Sequence, residues 1–177
     1  MKKFATVALT LAMAATAACA SATTVGICQL VQHEALDAAT QGFKDALTEK
    51  MPDVKFDEQN AAGDAATCVT ITSKFAADGV DLILANATSP LQAAVSATGD
   101  IPILGTSITD YATALGMKEW DGTTGINVSG TSDLAPLDGQ AAMIQELFPD
   151  AKNIGLVYCS AEANSVYQVT TIKGYLE

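Results

Sequence analysis

The chain repeats one kind of unit along most of its length. From Thr24 onward, a short run rich in aliphatic and β-branched residues is followed by an amphipathic stretch of helical length, and this order recurs several times. Such alternation is typical of βα units, in which each helix crosses over to the next parallel strand. The sequence therefore predicts an α/β fold, a doubly wound parallel sheet with helices on both faces.

The element boundaries follow from hydrophobic spacing and from residues that start or end helices. In the first helix, Leu36, Phe43 and Leu47 lie on one face, and Gly79 follows the second helix where a left-handed residue is expected. The predicted strands are 24–30, 54–60, 80–86, 101–107, 125–130 and 153–159. The predicted helices are 34–50, one between Asp64 and Gly79, one with Ser89 as N-cap and Pro90 as its first residue that closes at Gly99, one from Thr109 or Asp110 to Gly116, 133–148 and 164–177.

These elements divide into two units. Four βα units and a closing strand complete a first lobe over 23–130, and 131–177 begins a second α/β lobe. A lone strand with two helices cannot cover its own parallel edges, so we expect the sequence to be a fragment of a longer protein. The crossover between the lobes is the short stretch 125–133, which suits a hinge.

The first 22 residues have the pattern of a secretory signal peptide. Two lysines precede an uncharged run over 4–18, and small residues follow at 20–22. The run is too short and too rich in alanine for a membrane-spanning helix. We expect export, with cleavage after Ala22 and a mature chain that begins at Thr23. Cys19 leaves a second interpretation open, a lipoprotein anchored through that residue.

The charge of the chain excludes some partners. Its net charge is −11, and removing Lys2 and Lys3 leaves seven lysines against twenty acidic residues, a net charge of −13; there is no arginine. Such a surface cannot neutralise phosphates, so nucleic acid and anionic membranes are poor partners. We expect the acidity to serve solubility, and the protein to be a monomer.

The cysteines and the acidic residues match no metal motif. Cys28, Cys68 and Cys159 follow the signal region in apolar surroundings; an oxidising compartment allows one disulfide, but buried thiols acting as small hydrophobes are the default expectation. The acidic stretch 57–60 is expected to be solvated, because neighbouring strand residues point to opposite faces. Dinucleotide, P-loop, hydrolase and zinc motifs are absent, so we predict no cofactor and no metal.

Two clusters of hydroxyl groups stand at the ends of neighbouring strands, where open parallel sheets bind ligands. The clusters are Ala87-Thr88-Ser89 and Gly105-Thr106-Ser107. The first also begins a helix, whose unpaired N–H groups and dipole favour an anion. Because the chain lacks arginine, we predict that Thr88, Ser89, Thr106 and Ser107 hold the carboxylate of a small ligand. The alternative is that these hydroxyls only cap helices.

Four stretches of the chain resemble one protein family. They are GICQLVQHEALDAATQGFKDAL, ANATSPLQAA, GTSITDYATALG and IGLVYCSAEANSVYQV. From about Val25 to its end, the chain is similar to the tryptophan/tyrosine-type substrate-binding proteins of ABC transporters. The resemblance implies a type I periplasmic-binding-protein fold, with two lobes that close on an aromatic amino acid and dock on a membrane permease in the periplasm.

The resemblance also implies a set of cleft contacts. They are Gln29, His33, Ala87, Thr88, Thr106 and Ser107 in the first lobe, and Glu162, Asn164 and Ser165 in the second. For the amino group of the ligand, the expected acceptors are the Ala87 carbonyl and the Glu162 carboxylate.

Other functions remain alternatives at this point. A sugar or another small solute could occupy the same fold, although aromatic residues are sparse in the strand-end loops. An exported α/β enzyme is a further alternative; its only histidine, His33, would need a nucleophile beside it, and the nearby Cys28 should point into the core. A DNA-binding regulator would need a DNA-binding module in place of the signal peptide.

Overall fold

The computed structural model describes residues 22–177. The predicted signal peptide, its cleavage site and Cys19 lie outside the described residues or at their boundary. The strands are β1 Thr24–Gln29, β2 Lys55–Asn60, β3 Leu82–Asn86, β4 Ile103–Ile108 and β5 Val128–Ser132. The helices are α1 Glu34–Lys50, α2 Ala65–Asp78, α3 Thr88–Ala97, α4 Tyr111–Ala114, α5 Leu137–Leu147 and α6 Ala163–Leu176.

The five strands form one parallel sheet in the order β2-β1-β3-β4-β5. The predicted α/β fold is therefore confirmed. Because β1 lies between β2 and β3, the direction in which the strands are added reverses beside β1. In open α/β sheets, ligands bind at the carboxyl edge near such a reversal.

Apolar side chains cover both faces of this sheet. On one face, α2 and α3 pack on a cluster that includes Phe75, Ile83 and Leu91, all fully buried. On the other face, α1 rests on a smaller cluster that includes Ile27 and Leu84. Burial of such side chains on both faces is the main favourable term that holds the lobe together.

The starts of three helices are closed by side chains. Asp64 accepts hydrogen bonds from the N–H groups of Ala66 and Thr67, and Asp110 accepts one from the N–H of Thr113. His33 caps α1 in the same way. At the end of α2, Gly79 has a φ of 68°, which confirms the predicted left-handed residue.

The start of α3 differs from the prediction. The helix begins at Thr88, so Ser89 is not its N-cap and Pro90 is its third residue. The N-cap is Ala87, which has no side-chain acceptor. The chain turns there because the Ala87 N–H donates to the Thr106 carbonyl, 3.0 Å away, and this bond fixes the residue before the helix.

Two later boundaries are also shifted from their predicted positions. The fifth strand begins at Val128 instead of residue 125, because the Asn127 side chain is tied to the carbonyls of Thr98 and Ile101 and precedes the first ladder pair. Helix α5 begins at Leu137 instead of residue 133. Pro136 disfavours helical geometry in the residue before it.

The predicted strand over 153–159 is wrong. Residues 151–159 have no regular structure, and Val157 is fully exposed. A parallel strand needs a neighbour to satisfy its backbone, and the described residues offer none at this place.

Helices α5 and α6 pack on each other, and α6 also lies against α4. The division into lobes at residue 130 stays a prediction. Within 22–177, no helix combines the length and the apolarity that crossing a membrane requires.

Candidate functional site

The candidate site lies at the carboxyl ends of β3 and β4. Asn86 and Thr106 are paired across the two strands, and the Ala87 N–H donates to the Thr106 carbonyl. The end of β1 joins them, because the Leu30 N–H donates to the Asn86 carbonyl at 3.2 Å. The two predicted hydroxyl clusters are therefore adjacent at one edge of the sheet.

The backbone at this edge is strained. Among residues 22–177, the non-glycine residues with positive φ are Ala62, Ala87 and Ser107, with φ values of 53°, 103° and 57°. Each lies at or just beyond the carboxyl end of a strand. Ala87 also has a ψ of 168°, a combination occupied almost only by glycine. Strain of this kind persists where the surroundings impose it, and it is commonly found at ligand sites.

The N-terminus of α3 is open to a ligand. Its first two N–H groups, on Thr88 and Ser89, have no hydrogen-bond partner among residues 22–177, and Pro90 has no N–H. In the same range, the hydroxyls of Thr88, Ser89, Thr106 and Ser107 make no hydrogen bond. The helix dipole adds positive potential at this point. The arrangement can therefore bind a carboxylate through neutral donors alone.

The Gln29 side chain is already occupied by the protein. It is 4% exposed, and its amide nitrogen donates to Asp37 Oδ1 at 2.6 Å and to the Val31 carbonyl at 2.9 Å. Its Oε1 accepts the Thr40 hydroxyl at 2.7 Å. The geometry favours a positioning role for Gln29, which ties the end of β1 to α1; direct contact with a ligand stays a prediction.

Asn86 belongs to the same buried network. Its Nδ2 donates to the Leu36 carbonyl at 2.8 Å and to Thr40 Oγ1 at 2.9 Å. Its Oδ1 is buried and has no partner among the described residues. Asn86 and Thr40 were not predicted as site residues from the sequence. The available signal was an amide at the end of an apolar strand and a threonine on the apolar side of α1.

His33 lies on the exposed rim at the start of α1. Its Nδ1 accepts the Ala35 N–H at 3.2 Å. That nitrogen is therefore used in the helix cap, and Nε2 is the ring nitrogen available for another contact. Cys28, the nearest nucleophile in sequence, is fully buried. The predicted orientation of Cys28 into the core is confirmed, and the two residues do not form a nucleophile–base pair.

The three predicted contacts of the second lobe lie together at the start of α6. Glu162 is its N-cap, and its carboxylate accepts the Ser165 hydroxyl at 3.3 Å. Asn164 and Ser165 are partly buried. Among residues 22–177, no hydrogen bond joins this group to the hydroxyl clusters of β3 and β4. Its place in the same ligand site stays a prediction.

Two surface pockets lie away from the hydroxyl clusters. One of about 420 Å³ lies beside β5 and is lined by residues that include Tyr111, Trp120 and Gly130. Another of about 250 Å³ lies between α5 and α6 and includes Ser165. The start of α3 borders neither pocket.

The acidic residues of β2 are engaged with lysines. Lys74 lies 3.1 Å from Asp57, and Lys44 lies 2.6 Å from Glu58. Hydrogen bonds from Gln59 and from Lys74 lower the pKa of the Asp57 carboxyl. Within the part of the chain that the structure describes, no three metal-ligating side chains converge. Asp57 and Glu58 form ion pairs with these lysines at the surface of the lobe.

The fold and the open strand edge define a class of protein. A lobe with a five-stranded parallel sheet in this strand order has a periplasmic-binding-protein-like architecture. Residues 24–177 match the family model described as ABC transporter substrate binding protein. The chain belongs to that family.

Several relatives support this assignment. A tyrosine-binding protein of Clostridioides difficile (strain R20291) is 43% identical over 155 residues, 85% of this chain and 45% of the relative. The structure of an ABC domain from Streptococcus pneumonia in complex with L-Trp has a TM-score of 0.80 at 36% identity, covering 88% of this chain and 54% of that one.

A third relative is a ligand-free, open structure of a substrate binding protein with adhesive properties from Clostridium difficile. It is 43% identical and has a TM-score of 0.66, covering 86% of this chain and 53% of that one. The chain thus spans about half the length of the relatives it matches. It is closer in shape to the relative with L-Trp bound than to the open one, although it is more similar in sequence to the latter.

Proposed function

We propose that this protein is the substrate-binding component of an ABC importer and that it captures an amino acid, with tryptophan or tyrosine as the ligand. The family supports the role, and one relative is named for tyrosine while another has L-Trp bound. The protein binds its ligand without catalysis. It is exported to the periplasm as a monomer and delivers the ligand to a permease in the membrane.

The open start of α3 is the observation that carries this proposal. A buried carboxylate must be fully hydrogen-bonded, and the chain has no arginine to do so. Thr88 is 5% exposed, and its N–H and hydroxyl, like the hydroxyl of Thr106, have no hydrogen-bond partner among residues 22–177. These donors suit the α-carboxylate of an amino acid.

The amino group needs acceptors, and two are available. The Ala87 carbonyl accepts the Leu91 N–H at 3.2 Å and has a second lone pair. The Glu162 carboxylate would approach from the second lobe. In this proposal, closure of the two lobes brings these acceptors to one ligand.

Substitution of the two threonines tests the carboxylate site. In the protein that carries both lobes, Thr88→Val and Thr106→Val keep the side-chain shape and remove one donor each. A hydrogen bond to a charged group contributes roughly 1.5–3 kcal/mol, so we expect affinity for tryptophan or tyrosine to fall about ten- to a hundredfold. Calorimetry measures the loss. Thr48→Val, on the exposed face of α1, is the matched control and should bind normally.

A ligand analogue separates carboxylate binding from pocket shape. Tryptamine and tyramine lack the carboxylate, so both variants should bind them almost as the unsubstituted protein does. If the variants lose as much affinity for the amines as for the amino acids, the hydroxyls shape the pocket and do not hold the carboxylate. Binding of a sugar, with no binding of any amino acid, would contradict the proposed ligand class.

A further inference from the structure

Strand β1 presents alternate residues to opposite faces of the sheet. Val25 and Ile27 belong to the cluster under α1. Gly26 faces α2 instead, because a Cβ built on it would lie 2.6 Å from the ring of Phe75. Side chains along a strand alternate, so Cys28 lies on the same face as Gly26 and points at α2. It is fully buried there.

Helix α2 brings a second cysteine to the same place. Cys68 and Phe75 are seven residues apart, two helical turns, and therefore lie on one face of α2. The helix connects two parallel strands and so runs antiparallel to β1. Moving along β1 from Gly26 to Cys28 therefore follows the same direction as moving along α2 from Phe75 back to Cys68. This places Cys68 over Cys28.

The two thiols meet at this point. Cys68 is fully buried in the same apolar cluster as Cys28, and the two side chains are close enough that each shifts the pKa of the other. The structure holds both as free thiols. Cys159, the other described cysteine, is exposed and far along the chain, which contradicts the expectation that all three are buried.

We propose that Cys28 and Cys68 form a disulfide bond in an oxidising compartment and thereby fasten β1 to the first turns of α2. The inference uses the proposed export only for its setting. It requires neither the ligand nor the permease. The bond closes a segment that contains all of α1 and β2, so it removes freedom chiefly from the unfolded chain.

The oxidant is a disulfide, for example oxidised glutathione. One cysteine thiolate attacks a glutathione sulfur, which forms a mixed disulfide and releases one glutathione thiolate. The second cysteine thiolate then attacks the sulfur of the first cysteine and releases the other glutathione thiolate. The protein loses two electrons and two protons, and two glutathione thiols carry them.

The buried position determines when this exchange occurs. Both thiols are fully buried, so glutathione cannot reach either sulfur while α2 is docked on β1. The exposed turn at 62–64 leads directly into α2. Exchange therefore takes place before α2 docks on β1, or when its first turns open locally.

Refolding in a glutathione buffer tests the proposal. The reduced, unfolded chain is refolded with oxidised glutathione, free thiols are alkylated in denaturant, and the peptides are mapped by mass spectrometry without reduction. We expect one peptide pair joined through Cys28 and Cys68, with Cys159 alkylated. The oxidised protein should melt roughly 5–10 °C above the same protein after reduction.

Two variants serve as controls. Cys159→Ala should keep both the cross-link and the melting shift, and Cys68→Ala should lose both. Alkylation of Cys28 and Cys68 after oxidative refolding would overturn the proposal, as would a cross-link to Cys159. The peptide map of the unsubstituted protein decides the question even if Cys68→Ala fails to fold. Amino-acid affinity is a separate measurement, so this proposal and the proposed function can fail independently.

Discussion

At the scale of the residue, Ala87 shows how the site is built from strain. Its φ of 103° and ψ of 168° suit glycine, yet the chain carries a Cβ there. Two hydrogen bonds hold it, one from its N–H to Thr106 and one to its carbonyl from Leu91. The strained turn leaves α3 without a side-chain cap and directs its first N–H groups to the edge of the sheet.

Replacing Ala87 by glycine should relieve this strain. The strain is worth about 1–3 kcal/mol and the added freedom of the unfolded glycine costs about 0.5–1 kcal/mol, so we expect the free energy of unfolding to rise by about 1 kcal/mol. Urea unfolding measures the change. Ala46→Gly, on the exposed face of α1, should instead lower stability by about 0.5–1 kcal/mol. Equal losses in the two variants would show that Ala87 is unstrained.

At the scale of the element, Tyr111 joins α4 to the edge of the sheet. Its hydroxyl donates to the Gly105 carbonyl at 3.0 Å and lies 3.4 Å from that of Thr131. The side chain fits because Gly105 and Gly130 face it; a Cβ on Gly130 would collide with the Gly105 carbonyl and the tyrosine hydroxyl. The β4–β5 register also shifts here, between Gly105 and Ile108.

The same tyrosine makes stability depend on alkaline pH. Burial, and secondarily the charge of Asp133, raise the pKa of Tyr111 to about 12. The unfolded chain releases this proton near its ordinary pKa of about 10. The contribution of the neutral hydroxyl is therefore complete below about pH 10 and declines as the pH rises toward about 12.

We expect Tyr111→Phe to be less stable than the unsubstituted protein by about 1 kcal/mol near pH 7, because the Gly105 carbonyl loses its partner. This difference should shrink by about 1 kcal/mol between about pH 9 and about pH 11, since only the protein with Tyr111 loses that contribution. Denaturant unfolding across this range measures it. Tyr175→Phe, at an exposed tyrosine, is the control. A constant difference for Tyr111→Phe would refute the assignment.

At the scale of the whole molecule, the N-terminal part of the chain forms a paired sheet and the segment 151–159 does not. The first sheet is complete in its hydrogen bonding from β2 to β5, whereas 151–159 has no strand to pair with. Ile154, Val157 and Tyr158 are exposed there. The chain spans about half the length of the relatives it matches.

The difference in length between this chain and its relatives predicts how ligand affinity depends on chain length. A cleft gains affinity by burying its ligand between two walls. We expect residues 23–177 alone to bind tryptophan or tyrosine about a hundredfold or more weakly than a protein with the length of its relatives does. Calorimetry on both proteins, after circular dichroism has shown that each is folded, makes the comparison. Equal affinities would place the whole site in the first lobe.

The sequence alone was enough to predict the order of the elements in the first lobe, its parallel sheet and the adjacency of the two hydroxyl clusters. Local properties determine these: the apolar run of β3, the helical spacing of α1 and the glycine after α2 each restrict the backbone in their own segment. Parallel strands then bring their carboxyl ends to one edge whatever their other contacts.

Other features depended on contacts between distant segments. Residues 153–159 have the composition of a strand but lack a partner, and α3 begins at Thr88 because a bond to β4 fixes Ala87. The network of Gln29, Thr40 and Asn86 joins three segments and has no local pattern. Tertiary structure decided these features because hydrogen bonds between distant residues depend on where the whole fold places them, which the spacing of residues within a segment does not encode.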